Sequence, residues 1–254
     1  MSIVDILSSP PGGLAYHLIM LFAIQAVLGM ALDEAGRSHQ NWAEYQPEYQ
    51  RVVVAFGILF LARLFLMAVA LVTWQGFMPP QSVLPPLERF LDLLGVTLLF
   101  YAASPGQGRL AGVRRIFFVT NLLLALVVYL LFAALWYSAL RISPELHYNG
   151  YWQEYIWELW QIVIAVMALA IVLRQNIQQK VLASSIFVIF LLGHIVHVLF
   201  QQGAPHVAGW DRVANVIVYP LFAAMIYRAN AANWSARKPP LIPSRTGAPQ
   251  EDER

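Results

Sequence analysis

The chain has no cysteine, only two lysines (Lys180 and Lys238), and few charges of either sign: 12% of its residues are Asp, Glu, Lys or Arg. Each shortage removes a class of function. Without cysteine there is no disulfide, no thiol nucleophile and no thiolate metal site. Both lysines sit at the edges of apolar runs, so a retinal Schiff base has no attachment point and a retinal pigment is excluded. A formal net charge of +2, with its basic residues scattered, offers no patch for nucleic acid. The charge fraction is about half that of a soluble domain. No internal repeat of solenoid period and no inverted duplication of the halves is present, which disfavours a transporter. The first residues lack the basic segment and small-residue cleavage site of a removable signal peptide, so the first apolar run is expected to be retained.

What the chain has in abundance is apolar sequence: 59% of the residues, with a mean hydropathy of +0.59. Seven apolar runs stand out, at about Leu14–Leu32, Val52–Thr73, Leu87–Ala103, Ile116–Tyr137, Ile156–Leu173, Val181–Phe200 and Val213–Tyr227. Their lengths suit a hydrocarbon layer about 30 Å thick, and their unbroken apolar character, without two-residue alternation, points to helices rather than a barrel. The expected fold is therefore an all-α integral membrane bundle of seven transmembrane helices. Leu87–Ala103 is the least apolar run, with Arg89 and Asp92 near its start. With seven spans, Arg37, Arg51, Arg109, Arg114, Arg115, Arg174, Lys180, Arg228, Arg237, Lys238, Arg245 and Arg254 fall on one side. Only Arg89, Arg141 and Arg212 fall on the other. Basic residues gather on the cytoplasmic side, so the N-terminus is expected outside and the C-terminus in the cytoplasm. Residues 1–13 then form a short extracytoplasmic segment, 14–230 the membrane domain, and 231–254 a polar, proline-containing tail expected to be disordered. The expected location is a cytoplasmic membrane, crossed several times.

Polar residues inside such a bundle are costly, and therefore informative. Arg63 lies near the middle of the second run, and Asp92, on the next helix, is its natural partner; the pair is expected to fix how two helices dock or to serve as a switch. His194 and His197 share a helix face, and His17 lies at similar depth. This cluster offers imidazole ligands for a metal or for haem, although His-x-x-His is a loose pattern that also arises in purely structural settings. The segment Tyr148–Trp160 is dense in aromatic residues, as expected of a membrane-interface belt. Within it Trp157, Glu158, Trp160 and Gln161, joined by His17 of the first run, form a candidate ligand-binding cap. Pro220, inside the last run, is expected to kink that helix.

Two segments carry a resemblance. Pro85–Leu94 (PPLERFLDLL) and Arg212–Leu221 (RVANVIVYPL) are similar to parts of the N-terminal seven-helix sensor regions of bacterial membrane histidine kinases and related GAF-containing signalling proteins, particularly in Chloroflexi-like bacteria. In that family the last helix leads into cytoplasmic output modules, whereas this chain continues only into the polar tail. The resemblance implies a sensor or receptor module coupling an outer-leaflet or extracytoplasmic signal to a cytoplasmic signalling partner, or to an output domain outside this chain. A homodimer is compatible with it, and no catalytic residue or required cofactor is implied. The competing expectation is an accessory subunit of a respiratory or photosynthetic membrane complex, associated with haem or quinone.

Overall fold

The computed structural model describes residues 3–40, 47–104, 110–175, 179–200 and 206–237. Of the tail expected to be disordered from residue 231, residues 231–237 instead continue the last helix, and the remainder lies outside the described residues. Eight helices are described, namely α1 (Ile3–Ser8), α2 (Pro10–Gln40), α3 (Pro47–Trp74), α4 (Pro80–Ala103), α5 (Leu110–Ile142), α6 (Trp152–Arg174), α7 (Lys180–Leu199) and α8 (Gly209–Arg237). No strand occurs among the described residues. Six of the helices (α2, α3, α5, α6, α7 and α8) are long and apolar enough to cross a membrane. The molecule is an all-α membrane bundle, with large apolar side chains such as Phe22, Leu61, Leu123, Leu130 and Leu159 turned outward.

The helices pack in the order α2, α3, α4, α6, α7, α8 and back to α2, with α5 against α4 and the short α1 against α2 and α8. Successive helices alternate in direction. The starts of α2, α4, α6 and α8 therefore meet the ends of α3, α5 and α7 at one end of the bundle. At the opposite end the Asn230 amide donates to the Met30 carbonyl at 3.2 Å.

The run Leu87–Ala103 proves to be part of a longer helix, α4, which begins at Pro80. Of its 24 residues 17 are buried, including Glu88, Arg89 and Asp92, so this helix meets protein rather than lipid over most of its surface. That is why it tolerates a composition a lipid-facing helix would not. Its first turns contain Pro85 and Pro86. Proline lacks an N–H, so Pro85 cannot serve the carbonyl of Gln81 four residues earlier. The Trp136 indole of α5 donates to that carbonyl at 2.8 Å and replaces the missing bond.

α7 and α8 approach each other closely at Gly193. A Cβ built on Gly193 would lie 2.5 Å from the Ala214 Cβ, so only glycine fits that crossing, whereas Gly29 has no neighbour within 4 Å. Gly193→Ala is therefore expected to destabilise the protein by about 1–3 kcal/mol through overpacking. Gly29→Ala is expected to be neutral or to stabilise it by up to about 1 kcal/mol. Thermal unfolding of both variants in detergent checks this pair.

Candidate functional site

The end of the bundle where α2, α4, α6 and α8 begin encloses a layer of buried ionisable residues. α4 supplies Glu88, Arg89 and Asp92; α6 Glu154 and Glu158; α7 His194 and His197; α8 Asp211 and Arg212; and α3 Arg63. Helical periodicity decides which neighbour each one meets. Glu88, Asp92 and Gly95 share one face of α4, and Arg212, Asn215 and Tyr219 share one face of α8. The two faces meet in register. Arg212 Nε donates to Glu88 Oε1 at 2.8 Å, and Asn215 Nδ2 donates to Asp92 Oδ1 at 3.3 Å. A Cβ on Gly95 would fall 2.6 Å from the Tyr219 hydroxyl oxygen. These residues lie within Pro85–Leu94 and Arg212–Leu221 or, for Gly95, one position beyond, so these two segments face each other across the bundle.

Arg63 reaches the same region from α3, and its Nη2 lies 3.1 Å from Asp92 Oδ1. Tyr16 of α2 is sandwiched between two guanidinium groups, with Arg63 5.7 Å and Arg212 5.0 Å from its ring centre. Its hydroxyl accepts from Asn215 at 3.1 Å. Arg212 also donates through Nη1 to the Leu7 carbonyl at 2.8 Å, satisfying a free carbonyl in the last turn of α1. One arginine thus ties α8 to both α4 and α1.

Arg89 points a different way, because it is one residue on from Glu88 and so about 100° around the helix. It faces α6, where its Nη2 lies 2.7 Å from Glu154 Oε1 and its Nε 3.8 Å from Glu158 Oε1. Glu154 is fully occupied. Its Oε1 also meets His197 Nε2 at 2.9 Å, and its Oε2 accepts the backbone N–H of Gly150 at 2.6 Å. The last contact is a reach back across the start of α6, as in a capping box. Gly150 has φ +85°, a left-handed turn that favours glycine.

Glu158 and Asp211 have a different arrangement. Both approach His194 Nδ1, Glu158 Oε2 at 2.8 Å and Asp211 Oδ1 at 3.1 Å. One ring nitrogen carries at most one proton, so it can donate to one carboxylate at a time. Glu158 Oε1, Asp211 Oδ2 and His194 Nε2 have no hydrogen-bond partner among the described residues.

The other sequence candidates are distributed through the bundle. Trp157 is wholly buried, its indole donating to the Tyr148 hydroxyl at 3.2 Å, and Gln161 donates to the Trp157 carbonyl at 3.3 Å. Trp160 is half-buried and donates to Asn121 Oδ1 of α5 at 2.9 Å. Asn121 in turn donates to Thr97 of α4 at 3.0 Å, a relay across α6, α5 and α4 that the sequence reading did not include. These aromatic and amide groups pack inside the bundle. His17 faces α3 and lines an apolar cleft of about 610 Å³ with Leu14, Met67 and Trp74. Pro220 lies within α8 on its outward face, and the helix continues past it to Arg237. Glu88, Arg89 and Arg212 join the site although the sequence reading gave them no named role in it, while Glu154 and Asp211 fall on the same expected side as the histidines. Their signal was the presence of charge inside or beside apolar runs.

Outside the helices, His206 accepts the Tyr148 backbone N–H at 3.3 Å and stands edge-on to His147, with ring centres 6.0 Å apart. Burial, and then the nearby His147, hold the His206 pKa below its ordinary value.

In comparisons with known proteins, no family model matches the chain, and no curated protein or solved structure is significantly similar to it.

Two outcomes follow from this geometry. Replacing Arg63 with Met or Asp92 with Leu leaves the opposite charge buried and alone, at an expected cost of about 3–5 kcal/mol each. The double replacement is expected to cost clearly less than the two together, as read from a double-mutant cycle of denaturation. For His206 the folded protein binds the proton more weakly than the unfolded chain. Its contribution to stability is therefore complete above the ordinary value of 6.5 and is lost as pH falls through the lowered folded value. His206→Asn is expected to flatten the dependence of thermal stability on pH in the acid range, measured against the parent.

Proposed function

We propose that the chain is a seven-helix membrane sensor module, with α2 to α8 as its spans, in which the polar layer receives the signal and α8 carries it to the opposite side. The observation that carries this reading is the position of α8. At the polar end it is bound to α1, α2, α4 and α7 through Arg212, Asn215 and Asp211. It then runs as one helix of 29 residues, about 43 Å at 1.5 Å per residue, beyond the thickness of the hydrocarbon layer. Any rearrangement of the polar contacts at its start is delivered at its far end. The meeting of Pro85–Leu94 with Arg212–Leu221 supports the same reading, because the two segments similar to kinase sensor regions form one contact.

Counting α4 as a span is supported by its length and by its place between α3, α5 and α6. The excess of Arg and Lys at the end opposite the polar layer supports a cytoplasmic location for that end, with the polar layer outside. The partner is then a cytoplasmic signalling protein or an output domain following the tail.

A sensor needs two arrangements whose balance responds to perturbation at the receiving end. With no native cysteine, Arg174→Cys and Arg228→Cys, at exposed positions on the cytoplasmic halves of α6 and α8, provide clean labelling sites. A membrane-impermeant maleimide is expected to reach both only from the cytoplasmic side. Spin labels on the pair are expected to give two distance populations. Asn215→Ala, which loosens α8 from Tyr16 and Asp92 without leaving a charge unpaired, should change their ratio. A single distance distribution, identical in parent and variant, would count against a sensor.

A further inference from the structure

The polar layer holds five buried carboxylates but only three buried arginines. Three buried arginines each take one carboxylate: Arg63 takes Asp92, Arg212 takes Glu88 and Arg89 takes Glu154. Two further carboxylates, Glu158 and Asp211, are each 1% exposed and have no arginine of their own. They are the two that converge on His194 Nδ1, one from α6 and one from α8, with the imidazole from α7 between them. Two buried anions beside one ring nitrogen cannot both be satisfied by its single proton, and an uncompensated buried charge is costly.

We infer that Glu158, His194 and Asp211 form a binding site for a first-row divalent cation such as Zn²⁺. The donor set fits in type, number and spacing. One imidazole and two carboxylates suit Zn²⁺ and its first-row neighbours, and the imidazole favours these over Mg²⁺ or Ca²⁺. A dication neutralises the two carboxylates. Their ligand atoms lie within 4.8 Å of one another. Tetrahedral ligands at 2.0–2.2 Å from zinc stand about 3.4 Å apart, so the observed contacts of 2.8 and 3.1 Å need to open by only a few tenths of an ångström. Three protein ligands leave a fourth position for water, the arrangement of an exchangeable rather than a purely structural site.

The surroundings support this assignment. Oxygens of Glu158 and Asp211 without hydrogen-bond donors remain available for the ion. Glu154 and His197 also lie beside Glu158, but Glu154 already serves Arg89, His197 and the Gly150 amide, which makes it a poor ligand. It acts instead by holding Arg89, whose Nε stays 3.8 Å from Glu158 and orients that carboxylate without neutralising it by close pairing. Asp211 lies two residues after the start of α8 and Glu158 six after the start of α6, about 3 and 9 Å along their helices. The site is therefore near the bundle end. This assignment does not depend on the sensor reading, since the ion is held whether or not the bundle signals.

The test uses the full chain in detergent or nanodiscs, with any polyhistidine tag removed. After stripping with chelator, Zn²⁺ is titrated in competition with a chromophoric chelator. One equivalent per chain is expected to bind. Asp211→Asn and Glu158→Gln are each expected to weaken binding at least tenfold, while His147→Ala, in the exposed loop pair with His206, leaves it unchanged. If those charge-neutral variants do not fold, Co²⁺ added to the stripped parent decides the matter: visible d–d bands of four- or five-coordinate cobalt support the site, and their absence overturns it. No stoichiometric Zn²⁺ binding by the parent also overturns it, as does binding unaffected by Asp211→Asn, or binding lost with His147→Ala.

Discussion

The requirement that no charge stand alone where water is absent governs how this bundle is put together. An arginine such as Arg89, with none of its surface exposed, is tolerable only beside a carboxylate held in a fixed place, and Glu154 provides it at 2.7 Å. The same requirement applies to Arg63 and Arg212. Each pairing joins α4 to a different helix, so the three together fix α3, α6 and α8 around α4. The apolar surfaces supply adhesion that is nearly indifferent to rotation and sliding, because lipid and leucine are equally greasy. The ion pairs supply the register.

Adjacent residues of opposite charge are the device that makes this possible. Glu88 and Arg89 are neighbours in sequence, and so are Asp211 and Arg212, yet no member of either couple pairs with its neighbour. A turn of about 100° per residue sends them to different helices. α4 thereby offers an acidic face to α8 and a basic one to α6, while α8 offers a basic face to α4 and an acidic one to α7. Glycine appears where the faces close in: Gly95 under the Tyr219 hydroxyl and Gly193 against Ala214.

Much of the fold was legible in the sequence, because continuous apolar runs have few alternatives. Each of the seven runs coincides with a helix; six of these helices are longer than their runs, as with Val213–Tyr227 inside Gly209–Arg237, while α7 matches its run within one residue. Their polar ends carry no hydropathy signal. The run ranked weakest by composition, α4, is the one most enclosed by protein, since hydropathy measures suitability for lipid and α4 hardly meets lipid. The contact of Arg63 with Asp92 was legible because sequence-adjacent antiparallel helices must pack and a mid-run charge has few partners within reach. The contacts of Arg89 with Glu154 and of Arg212 with Glu88 were not. They depend on the packing order, which puts α4 against α6 and turns α8 toward it across the interior, and one-dimensional periodicity contains no packing order. The segment Tyr148–Trp160 read as an interfacial belt, with Trp157 and Glu158 in a ligand-binding cap, for the same reason, because a span's first turns look alike whether they face headgroups or other helices.

The unequal distribution of partners within the layer also bears on how it responds. Glu154 has three donors, whereas Asp211 depends on a histidine nitrogen it shares with Glu158. Packed interiors change by exchanging one satisfied arrangement for another, so the place where partners are already shared is where exchange costs least. Arg89, close to Glu154 and 3.8 Å from Glu158, sits at that boundary. A cation held by Glu158 and Asp211 would leave Arg89 to Glu154 alone; removing it would free Glu158 to compete for the guanidinium. The first arrangement draws α6, α7 and α8 together, and the second draws α6 toward α4. An ion at this position thus has the one property a ligand must have to bias a helix bundle, a different interaction free energy with each of two packings.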